Sequence, residues 1–93
     1  MDARDLVLNI AVNMGRLSKW AFDGKTERIK QFISDTETYL DQLENTPQSE
    51  KFKPTFVAFK NKFKELKNSV PNEIWAEDAL TWANILQHRA KLV

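Results

Sequence analysis

The amino-acid sequence predicts an all-α fold, an up-down-up-down antiparallel four-helix bundle in which residues 1–93 form one domain. Three observations predict it. Phe52, Phe56, Phe59, Phe63, Leu66 and Val70 advance in steps of four, three, four, three and four, which keeps one side of a helix apolar along its length. Between them stand Lys53, Lys60, Lys62, Lys64 and Lys67, so that helix needs neighbours on one side only. Three other segments repeat the spacing, and the breaks between segments are about two to five residues, short enough to favour antiparallel neighbours.

Asp2 is placed to cap the first helix through its carboxylate, and Asp5 adds favourable negative charge to the first turn. Ala3, Val7, Ile10, Met14, Leu17 and Ala21 form the core stripe. Asp23-Gly24 ends the helix, because glycine takes the left-handed conformation that closes it. Leu8, Val12 and Phe22, with Ala11, lie off that stripe, so the helix is apolar on two sides and calls for two neighbours.

Thr26 is the expected cap of the second helix, whose stripe of Ile29, Ile33, Thr36, Leu40 and Leu43 is broadened by Phe32 and Tyr39. Asp35, Glu37, Asp41 and Glu44 make its outer face acidic. Asn45-Thr46-Pro47-Gln48-Ser49 is the strongest turn signal in the chain, with Ser49 offering a fresh cap. The third helix is expected from about Ser49 or Pro54 to Asn68, since proline is tolerated in a first turn. Pro71 then pushes Val70 toward extended geometry, and Asn72 suits the cap of the fourth helix. That helix is expected to bury Trp75, Ala79, Trp82, Ala83, Leu86, Ala90 and Val93 and to leave Glu77, Thr81, Asn84 and His88 outside. The order of directions brings Trp20 to the pole of Trp75, with its indole against the fourth helix near Trp75 or Ala79.

Fourteen Lys and Arg against thirteen Asp and Glu leave a net charge of +1, so no overall field draws the protein to nucleic acid or to an anionic membrane. The absence of cysteine excludes disulfides, thiolate zinc sites and cysteine nucleophiles together. The longest uncharged run, Leu6 to Gly15, is well short of the roughly 20 residues that cross a bilayer. Asp2 and Asp5 stand where a secretory signal would be basic. A cytoplasmic protein without a membrane partner is therefore expected.

His88 shares a helix face with Glu77, Thr81 and Asn84. One imidazole, one carboxylate and two neutral groups fall short of a bundle metal centre, which draws histidines and carboxylates from several helices. No metal, cofactor or catalytic residue is assigned. His88-Arg89-Ala90-Lys91 resembles, over four residues, the His-x-x-Lys motif of histidine phosphotransfer domains, which are also four-helix bundles; Leu92 and Val93 follow here where that motif continues into glycine. The resemblance implies a phosphotransfer bundle using His88, which together with an enzyme using His88 is the third functional reading.

The second reading is a nucleic-acid-associated protein, because Lys53, Lys60, Lys64 and Lys67 fall in one sector beside the core stripe. The aromatic interleaving does not add to it, since Phe56, Phe59 and Phe63 belong to the core seam. The first reading rests on apolar surplus. A bundle of this size needs one stripe per helix, yet Leu8, Val12 and Phe22 on the first helix and Ile74, Ile85 and Leu92 on the fourth lie outside their stripes. With those helices adjacent, the two lines are expected to merge into one patch, which marks a homodimer or a protein partner. The sequence thus predicts a non-enzymatic interaction or assembly module.

Overall fold

The computed structural model describes residues 1–93 and contains four α-helices with no strand. Helix α1 (Ala3–Asp23) begins where Asp2 Oδ1 accepts from the Asp5 N–H at 2.8 Å and ends at Gly24. Gly24 takes φ 68°, a left-handed conformation that costs about 1–2 kcal/mol for a residue with a Cβ. Helix α2 (Thr26–Glu44) starts one residue earlier than a Thr26 cap implies: Lys25 occupies the cap position and Thr26 is already helical. Helix α4 (Glu73–Arg89) starts where Asn72 Oδ1 accepts from the Trp75 N–H at 2.9 Å, and it tightens into a 3-10 turn over Ala90–Leu92.

Helix α3 (Lys53–Lys67) carries Pro54 in its first turn. Ser49 does not cap it. Residues 49–52 form a separate turn, in which the Phe52 N–H donates to the Ser49 carbonyl at 3.1 Å. The Ser49 hydroxyl instead donates to the Leu92 carbonyl and ties the α2–α3 connection to the far end of α4. The apolar seam of α3 also stops a turn early. Leu66 is buried, but Val70 is 79% exposed, because the helix ends at Lys67 ahead of Pro71 and carries Val70 out of the seam.

Helix α1 holds the centre. Leu6, Val7, Ile10, Met14 and Leu17 are each 1% exposed or less, and α2 and α4 pack on either side of α1. The approach of α1 to α4 is the closest and most extensive in the molecule. Small side chains allow it. Ala11, Gly15 and Ser18 follow one row of α1, and a Cβ added to Gly15 would lie 4.0 Å from the Ala83 Cβ. Ala76, Ala79 and Ala83, all buried, form the facing row of α4.

Helix α3 is held farther off by bulk. Phe59 packs on Trp82 and Phe63 with ring centroids 5.6 and 5.9 Å away. The Trp75 indole N–H donates to the Leu66 carbonyl at 2.8 Å, and Arg89 donates to the Thr55 hydroxyl at 2.8 Å. Helices α2 and α3 meet through ion pairs, Lys60 with Glu44 and Lys67 with Glu37. Trp20 packs on α2. It lies on the flank of α1 that faces α2, edge-on to Phe32 at 4.5 Å and with Arg28 at 5.6 Å from its ring. The whole measures 36 × 19 × 19 Å.

Replacing Trp75 with Phe removes the buried indole donor to Leu66 and shrinks the ring between α3 and α4. We expect Trp75→Phe to lower stability by about 1–2 kcal/mol in urea denaturation; an unchanged midpoint would contradict the role given to this tie.

Candidate interaction surface

On α1, Val12 is 52% and Phe22 57% exposed, whereas Leu8 is half-buried against the core. Each is there for the same local reason. The stripe of Val7, Ile10, Met14 and Leu17 turns inward, and residues a few positions around the 3.6-residue turn are left outside. On α4, Ile74 is 69% exposed, while Ile85 and Leu92 are half-buried.

The two apolar lines do not run together. Ile74 lines a cleft with Lys62, Leu66 and Val70, and Asp78, one turn on, reaches Lys62 at 3.5 Å, so this flank of α4 faces α3. Ile85, three helical turns beyond Ile74, falls on the same row. The flank facing α1 is marked instead by Ala83 against Gly15. Its exposed apolar residue is Leu80, at 47%, which the sequence reading leaves out. The surface beside the α1–α4 groove therefore consists of Val12, Phe22 and Leu80, flanked by half-buried Leu8. The periodicity of α4 alone contained Leu80, one turn from Ala76 and Ala83, but only the position of α1 distinguishes one flank from the other.

Three of the four lysines singled out on α3 face carboxylates: Lys53 meets Glu50 at 2.9 Å, Lys60 meets Glu44 and Lys67 meets Glu37. Lys64 makes no ion pair. Lys60 also lies 5.4 Å from the Phe56 ring, its stem covering the apolar flank of the helix. The acidic outer face of α2 is thus turned partly onto the lysines, which lowers the positive field they present.

His88, Glu77, Thr81 and Asn84 are all exposed. No three His, Asp or Glu side chains converge as a metal-binding group. Of the three indoles, Trp75 is buried and Trp20 and Trp82 are half-buried. A cleft of about 280 Å³ beside Trp75 is lined by Ile29, Ile33, Leu66 and Pro71, with Lys30 and Lys67 at its edge.

Lys62 stands between the carboxylates of Glu65 and Asp78. The hydrogen bond to Glu65, at 3.2 Å, and the attraction of Asp78 hold its ammonium above the usual 10.5, against burial, which acts the other way. A raised lysine pKa contributes stability that is complete below the unfolded value and is lost as pH rises through the folded one. We expect the stability gap between the native chain and Lys62→Met to be constant below about pH 10 and to shrink above it, as read by urea midpoints across the alkaline range; a gap that does not change would contradict the ion-paired role of Lys62. The sequence matches no protein-family model, and no curated protein or solved structure resembles it at a significant level.

Proposed function

We propose that the protein is a non-enzymatic interaction module, an up-down-up-down antiparallel bundle that works in the cytoplasm and binds another protein chain through the outer flanks of α1 and α4. The alternation of directions is supported by the cross-helix ties. Glu37 pairs with Lys67 and Glu44 with Lys60, while Thr55 meets Arg89 and Leu66 meets Trp75, so position falls on one helix as it rises on the next. Leu6 beside Thr38, Asp41 and Asn45 supports the same reversal between α1 and α2.

The observation that carries the function is the exposure of Val12, Phe22 and Leu80 on the two helices that pack most closely. Single exposed apolar residues are ordinary. Two half-exposed large ones on a helix already packed on both sides, with a third across the groove, form a larger apolar surface than α1 and α4 need for their own contact.

Site-specific photo-crosslinking tests the reading. A photoreactive amino acid at Val12 or Leu80 is expected to give discrete protein adducts in the cells that make the protein, with another copy or with a different chain. The same probe at Val57, an equally exposed apolar position on α3, is expected to give none. Absence of adducts at Val12 and Leu80, or equal yields at Val57, would overturn it.

A further inference from the structure

The flank of α1 beside α4 carries a second regular seam. Asp5, Leu8, Val12, Gly15, Lys19 and Phe22 advance in steps of three, four, three, four and three, the spacing by which one helix presents a side to another. Asp5, Val12, Lys19 and Phe22 are exposed, Leu8 is half-buried against the core, and Gly15 is half-buried beside Ala83 of α4. Neither Asp5 nor Lys19 makes an ion pair within the chain, unlike most of the lysines of α3.

These charges are placed symmetrically, Asp5 seven residues before Val12 and Lys19 seven residues after it. A second copy laid parallel along the seam would set Asp5 on Asp5 and Lys19 on Lys19. Laid antiparallel, it sets unlike charges together twice and like charges nowhere along the line. Val12 then meets its own copy, and Phe22 comes to the partner's α1 start at Asp2. We infer that two copies of this chain pair antiparallel along α1, around a two-fold axis at Val12, with Asp5 facing the partner's Lys19 on each side. The inference rests on the interaction reading above and names its partner.

The size of the face fixes how tight the pair can be. A helix of 21 residues is about 30 Å long and offers a strip about 10 Å wide, or roughly 300 Å² per copy, against roughly 800 Å² per partner in a standard interface. Even with Leu80 at its margin the dimer is weak, and the ion pairs set its direction more than its strength.

Sedimentation equilibrium of the full chain up to about 1 mM, where weak association becomes measurable, tests this directly. The mass is expected to rise with concentration from 10.8 kDa toward twice that value. Asp5→Lys and Lys19→Asp, each alone, are expected to weaken association at least about fivefold, and the double variant to restore it to within about twofold, as pair-specific charge recognition requires. The double variant carries the same first-turn change as Asp5→Lys, so its recovery separates pairing from loss of helix. A chain that stays monomeric throughout, or a double variant as weak as the single ones, would overturn the inference. A monomer that still crosslinks at Val12 to a different protein would overturn the pairing and leave the interaction reading standing.

Discussion

The close approach of α1 to α4 is the constraint on which the other helices depend. Ala11, Gly15 and Ser18 meet a row of Ala76, Ala79 and Ala83, and the axes draw together because neither side offers a side chain longer than a few atoms. The large apolar residues of α1, from Leu6 to Leu17, are thereby turned into the centre, where the aromatic seam of α3 closes the remaining space. Small against small on one side and large against large on the other leave α3 bound through rings, the Trp75 indole and the Arg89 guanidinium, with little backbone approach to α4.

Polar contacts then sort the surface. The acids of α2 lie against the lysines of α3, and Lys62 bridges Glu65 to Asp78. Exposed pairs of this kind each contribute about 0.2–1 kcal/mol, so they select neighbours and direction while burial supplies the stability. A polyanion approaching α3 would compete with carboxylates for at least three of the lysines. The flank of α1 beside α4 differs, because Asp5 and Lys19 have no such partner.

Much of the fold was legible in the sequence. The stripe of α1, the caps at Asp2 and Asn72 and the stop at Gly24 are local signals, each decided by a few adjacent residues, and the structure has them where the sequence placed them. What could not be read was relational. Nothing in the sequence of α4 says which flank faces α1: periodicity alone puts Ile74 and Ile85 in line with Val12 and Phe22, although Ile74 lies toward α3, and does not single out Leu80. Val70 continued the seam on paper because periodicity does not record where Pro71 makes the helix stop.

Small residues set the spacing of α1 and α4, so their contact is expected not to tolerate bulk. A Cβ added to Gly15 would already touch the Ala83 Cβ at 4.0 Å, and Ala83→Leu adds three further carbons at that contact. The most direct measurement is the urea unfolding of Ala83→Leu. The account predicts a loss of about 1–3 kcal/mol, as for other overpacked cores. A midpoint equal to or above that of the native chain would mean that α4 moves outward freely, and would contradict it.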